Sequence, residues 1–345
     1  MTVLPLRDAA ECRYDVVTLG EVMLRLDPGD GRVRSTRTFS VSEGGAEYNV
    51  GRALRRCFGR RVAHIAAIGD NDVGRLLHDL MLQGGVSLDH VVWKEADDVG
   101  RFGRNPLNFT ERGFGVRGAR GTYDRANSAT AELQPEDVDW ERLFEVDGVR
   151  WFHTGGIFAG LSTTTFTTVR TAMRLARQSG AVVSYDINYR PSLWAAAGGS
   201  EAAHELTEQL LDDIDVLFGV ESEGFERAAD RLGHDHRQLR VVATPLRVVH
   251  SASVNDWGGV AWERRTGIHC GLELQRLAIF DRVGGGDGFA AGIIHGLLAG
   301  EPLIDSLDLG IAHGALVMTT AGDTSAVDEA EVRRVASSGD AGVVR

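Results

Sequence analysis

Short β-rich runs alternate with longer segments of helical spacing along this chain, and that alternation restricts the fold more than any other feature. The runs are "DVVTLG" (15–20), "RVAHIAAIG" (61–69), "VRWFHTGG" (149–156), "AVVSYDI" (181–187), "DVLFGV" (215–220) and "LRVVAT" (239–244). Near-continuous apolar runs of this length read as strands buried on both faces, the mark of a parallel sheet. Between them, "AEYNVGRALRRCF", "VGRLLHDLML", "TTTFTTVRTAMRLARQS", "AAHELTEQLLDD" and "SEGFERAADRL" have the length and spacing of helices. Strand and helix in alternation imply an open, mostly parallel α/β sheet with helices on both faces.

The chain shows no internal repeat and no low-complexity linker, so residues 1–345 read as one domain with a core of about 14–328. Residues 1–13 and 329–345 are expected to be flexible tails. Two inserts interrupt the alternation, 22–42 and 99–125, both polar and rich in glycine and arginine. In an α/β fold such inserts can form a small β-rich lid over the crevice at the carboxyl ends of the strands. The second insert carries Arg101, Arg104, Arg112, Arg117, Arg120 and Arg125 against only Glu111 and Asp124. In a protein of net charge -12, that local reversal points to an anionic ligand.

The overall acidity argues against nonspecific binding to nucleic acid or a membrane surface. No apolar run approaches the ~18 residues of a membrane span, and "MTVLPLRDAAECRYD" lacks the basic-then-apolar order of a secretory signal, so a cytoplasmic location is expected. Cys12, Cys57 and Cys270 show no metal-ligand spacing. Lys94 is the only lysine. A Walker A loop and the third strand of a protein kinase both require one in a defined motif, and neither motif occurs. "GFGVRG" (113–118) fits G-x-G-x-x-G literally, but it lacks the strand before and the helix after that a dinucleotide site needs.

"DRVGGGDGFAAGIIHGLLAG" (281–300) has the better context, since Phe289, Ile293, Ile294, Leu297 and Leu298 can form one apolar helical face. Gly284, Gly285 and Gly286 then lie at a helix N-terminus, where unpaired N–H groups and the helix dipole can cradle a phosphate. Asp287 would start that helix, and an N-cap role alone would explain its presence.

The stretch Asp281 to Asp287 resembles the Asp-Thr-x-Gly-Ala-Gly-Asp signature of the ribokinase-like (PfkB) carbohydrate kinases. Gly44 and Gly45 with Asn49, placed after the strand and turn "VVTLGEVMLRL", match a second feature of that family. The likeness extends over about residues 14–328. Within the family, "GTYDRANSATAEL" and "SYDINYRPSLW" resemble segments by which 2-keto-3-deoxygluconate kinases hold their acid sugar. They supply Tyr123 and Arg125, then Asp186, Asn188 and Arg190. A guanidinium can grip a sugar carboxylate through two parallel hydrogen bonds, which a neutral sugar would not call for. The plainer reading of Arg190 is an ion pair with Asp186.

The resemblance implies that Asp287 accepts the proton of the sugar's terminal hydroxyl while the N–H groups of Gly284 to Gly286 stabilise the moving phosphoryl group, with ATP as donor and the 6-phosphate as product. Magnesium would bridge nucleotide oxygens through water. The family's Asn-x-x-Glu motif aligns with Val220 to Glu223, so only Glu223 remains as an indirect metal contact. Arg282 stands in place of the signature threonine, which weakens the case for a monovalent-cation site. Thr244, Arg247, Ser251 and Asn255 in "TPLRVVHSASVNDWGG", with Gly322 and Asp323 in "MTTAGDTS", are the expected nucleotide contacts. Lid segments in this family often join subunits, which implies a homodimer or larger assembly. Three alternatives stay open: a fructokinase, a kinase for a related keto-acid sugar, and a sugar-binding member with weak or no turnover.

Overall fold

In the computed structural model, residues 3–97 and 99–338 are described. The first strand, Tyr14–Leu19, is buried at every position, as its unbroken apolar run requires. It pairs in parallel with Val62–Ile65 on one side and Val149–Gly155 on the other. The parallel run continues through Val182–Asp186 and Val216–Phe218 to Val241–Ser251. Two antiparallel strands, Val254–Glu263 and Gly267–Cys270, extend the sheet at that edge, and Leu274–Ala278 also pairs with the former. The chain therefore starts next to one edge, steps outward, and crosses back past its first strand.

Successive residues of each parallel strand enter opposite cores. Val16, Trp151, Val182, Val216 and Val241 belong to one cluster, with Phe289, Ile293 and Leu307 from the helices Gly285–Leu298 and Leu303–Val317. Val17, Phe152, Val183, Leu217 and Val242 belong to the other, with Val169 and Met173 from the helix Thr163–Gln178. The period-two alternation of a strand thus produces the helical layer on each face.

The two inserts supply a separate four-stranded sheet in the order Ser40–Gly44, Met23–Asp27, Leu107–Glu111, Arg120–Asp124. "GFGVRG" is the tip of its outer hairpin, with Phe114 and Arg117 bridging across the turn. This tip touches the turn between the strands Val241–Ser251 and Val254–Glu263: Ala252 N donates to Gly115 O at 2.8 Å, and Gly115 N to Ser253 Oγ at 3.0 Å.

Two expectations are corrected. The ends are not loose over their described parts, since Leu4 and Cys12 are buried and Glu329–Ser338 is a helix whose Val332 packs into the core. Residues 1–2 and 339–345 lie outside the described residues. The run expected as a strand ending at 244 continues to Ser251 and turns back as Val254–Glu263, a long hairpin. Among the described residues, no helix is long and apolar enough to cross a membrane.

Candidate active site

The carboxyl ends of the parallel strands, the inner face of the lid and the start of the Gly285–Leu298 helix enclose a cleft of about 560 Å3. This is where the connectivity of an open α/β sheet places a ligand. Gly45, Asn49, Tyr123, Arg125, Asp186, Asn188, Arg190, Thr244, Arg247, Gly284, Gly285, Gly286, Asp287 and Asp323 all line it. Residues quoted from six separate stretches of sequence therefore share one cavity.

The glycine loop takes its shape from Gly284, the helix N-cap, whose φ of 82 lies in the left-handed region. A Cβ there would fall 2.3 Å from Asp323 O, so no side chain fits. Asp287 is the third residue of the helix and makes no capping bond, which corrects its expected role as N-cap. Its Oδ2 instead accepts a hydrogen bond from Asn49 Nδ2 at 2.7 Å. Desolvation pushes the Asp287 carboxyl up to about 7; Asn49 opposes the shift, while Asp186 and Asp323 add to it.

Asp186 ends its strand, and its Oδ1 accepts from Asn188 N at 3.0 Å. That turn puts Asn188 at a positive φ of 38, which asparagine tolerates better than most residues. Burial raises the Asp186 carboxyl, and the Asn188 bond and the charge of Arg190 oppose it. No ion pair joins Arg190 to Asp186. Among the described residues Arg190, Arg247 and Arg282 have no carboxylate at ion-pair distance. Desolvation lowers the Arg247 pKa first, and the charges of Arg282 and Arg190 lower it further. Three guanidinium groups without counter-ions make this part of the cleft a demanding site for an anion.

Several expected contacts sit elsewhere. Ser251 and Asn255 line a neighbouring groove of about 330 Å3 between the lid tip and the hairpin, and Asn255 is itself buried. Arg282 borders both cavities. Gly44 lies against the Asp323 carboxylate, and Gly322 N donates to Asp281 Oδ2 at 3.3 Å. Asp323 is itself engaged by Arg25. Glu223 is exposed in the turn before the helix Phe225–Asp235, outside the cleft lining. Among the described residues no three His, Cys, Asp or Glu side chains cluster so as to hold a metal ion. That donor set does not fit a magnesium ion held by a carboxylate cluster of the protein.

The motifs gave no hint of three buried ionisable side chains, Arg25, Glu47 and Glu21. Arg25, fully buried on the lid strand Met23–Asp27, bonds both Asp281 and Asp323 and so anchors the lid to the segments flanking the glycine loop. An arginine inside the apolar run "MLRLD" was the available signal. Glu47 lies under the cleft against Gly20 and Gly155, so close that a Cβ on Gly20 would fall 2.2 Å from its Oε2. Desolvation pushes its carboxyl up to about 8, reinforced by Asp287, Asp186 and Glu21. Glu21 pairs with Arg125.

A mostly parallel sheet of this connectivity, a β lid and a glycine loop opening a helix meet at one cleft. Comparison with known proteins gives the class. Residues 13–330 match the model of the pfkB family of carbohydrate kinases, and the chain belongs to that family. It is 30% identical to 2-dehydro-3-deoxygalactonokinase of Haloferax volcanii, over 96% of this chain and 99% of the relative. It is 27% identical to 2-dehydro-3-deoxygluconokinase of Thermoproteus tenax, over 93% of each chain. The crystal structure of 2-dehydro-3-deoxygluconokinase from Thermotoga maritima superposes with a TM-score of 0.84 at 30% identity, covering 93% of this chain and 99% of that one.

Proposed function

We propose that this chain phosphorylates the terminal hydroxyl of 2-keto-3-deoxygluconate, using ATP, to give 2-keto-3-deoxy-6-phosphogluconate. One observation carries the reading: Arg125 and Arg190 line the same cleft as Asp287 and its glycine loop. A substrate held there by its carboxylate at one end presents a hydroxyl to a base at the other. The names of the relatives, one a galactonokinase and one a gluconokinase, support a sugar acid as the substrate class.

In this reading Asp287 accepts the proton of the terminal hydroxyl as its oxygen bonds to the γ-phosphorus and the bond to the β-phosphate oxygen breaks, releasing ADP. The amides of Gly284 to Gly286 take the charge that develops on the transferred group. Magnesium would come with the nucleotide and offset phosphate charge, since no carboxylate cluster among the described residues would hold it. Arg190, Arg247 and Arg282 neutralise the anions, and Asn49 orients the Asp287 carboxylate. Phosphorus NMR of the product tests the regiochemistry. A new phosphomonoester coupled to a CH2 group is expected, and a phosphate on a secondary carbon or an acyl phosphate would exclude the assignment.

A further inference from the structure

Glu21 lies two residues beyond the strand Tyr14–Leu19, and Arg125 one residue beyond the lid strand Arg120–Asp124. Arg125 Nε donates to Glu21 Oε2 at 2.9 Å, and its Nη2 donates to the same oxygen. The pair therefore ties lid to core. Arg125 lines the cleft, whereas Glu21, 1% exposed, stands behind it. Both bonds use one edge of the guanidinium. Nη1 bonds no described residue, and the Tyr123 ring flanks the group at 5.0 Å. A planar fork held at one edge and flanked by a ring has its other edge set for a second carboxylate.

The pair is a poor device for stability alone. Glu21 Oε1 is buried without a partner, and a buried carboxylate with one oxygen uncompensated costs free energy. Burial raises the Glu21 pKa, and the charge and hydrogen bonds of Arg125 oppose that rise without cancelling it. We propose that Glu21 is a positioning residue: it aims Arg125 so that the open edge of the guanidinium receives the carboxylate of the sugar acid, and so selects acid over neutral substrates. This rests on the sugar-acid reading above.

The test compares wild type, Glu21→Gln, Arg125→Ala and the double variant. Each is assayed with 2-keto-3-deoxygluconate and with 3-deoxyfructose, where CH2OH replaces the carboxylate, as substrate or competitive inhibitor. Glu21→Gln should raise KM for the acid about tenfold, the size expected for one misdirected charge-assisted hydrogen bond. The 3-deoxyfructose constant, kcat and KM for ATP should stay within about twofold. In the Arg125→Ala background the same change should add nothing. If Glu21→Gln does not fold, Glu21→Asp keeps the charge but draws it back, and the same split between substrates is expected. An equal rise for both substrates, no rise at all, or an undiminished effect without Arg125 overturns the role of Glu21. Wild-type enzyme inactive on every sugar acid overturns the substrate reading itself, and this role with it.

Discussion

Asn49 Nδ2 donates to Asp287 Oδ2 at 2.7 Å, joining residues 238 positions apart in the chain. The bond favours the ionised carboxylate against desolvation and the negative charges of Asp186 and Asp323, which together leave Asp287 with a pKa of about 7. A base must be deprotonated to act, so kcat/KM should fall with unit slope below about pH 7. Asn49→Ala removes the opposing hydrogen bond and should move that limb upward. Asp287→Asn should lower kcat by about 10^2 to 10^4 while leaving sugar binding within a few-fold. A pH–rate series on the three proteins checks both expectations.

Glu47 gives a pH signature in stability that does not depend on turnover. Its folded pKa, about 8, lies above the ordinary 4.5, so the folded state holds the proton more tightly than the unfolded state. The stability this contributes is fully present below the ordinary value and is lost as pH rises through about 8. Glu47→Gln cannot ionise. Its melting temperature should therefore exceed that of wild type at pH 8 by several degrees, and the gap should close below about pH 4.5.

Arg25 sits between Asp281 and Asp323 with no exposure. Arg25→Met would leave two buried carboxylates uncompensated, which should cost about 3–5 kcal/mol in urea unfolding. Adding Asp281→Asn should recover part of that loss, because one of the stranded charges is then removed.

Arg282 borders both the cleft and the groove beside it, so a nucleotide lying across the two would pass it. Arg282→Gln should raise KM for ATP about tenfold and leave KM for the sugar unchanged, as loss of one charge-assisted contact implies. Initial-rate kinetics with each substrate varied in turn would measure it.

Much of this was legible in the sequence, and the exceptions share a physical cause. The parallel strands were readable because residues such as Val16 and Val17 face two different cores, which leaves no polar position to interrupt the run. Asp287 was marked by the glycines before it, whereas Asn49, Asp186 and Arg190 came only with the family resemblance; the fold brings all four to one cleft. The hairpin to Glu263 was missed because its first strand leaves the core at Pro245 and runs on exposed, with Leu246, Val248 and Val249 at the surface instead of in a core. The N-cap role was assigned to the wrong residue, since a glycine can hold that position by backbone conformation alone and leave Asp287 free for Asn49. Arg25, Glu21 and Glu47 acquire their meaning only from partners brought close by the fold, a relationship that spacing along the chain does not encode.

The most direct measurement is ADP release with 2-keto-3-deoxygluconate, 2-keto-3-deoxygalactonate, fructose and 3-deoxyfructose under one set of conditions. The two acids differ at one carbon and share the carboxylate that Arg125 and Arg190 would hold. At least one should be turned over with kcat/KM about a hundredfold or more above either neutral sugar, the effect of losing a charged, bidentate contact. Equal kcat/KM for fructose and for both acids would contradict a sugar-acid kinase.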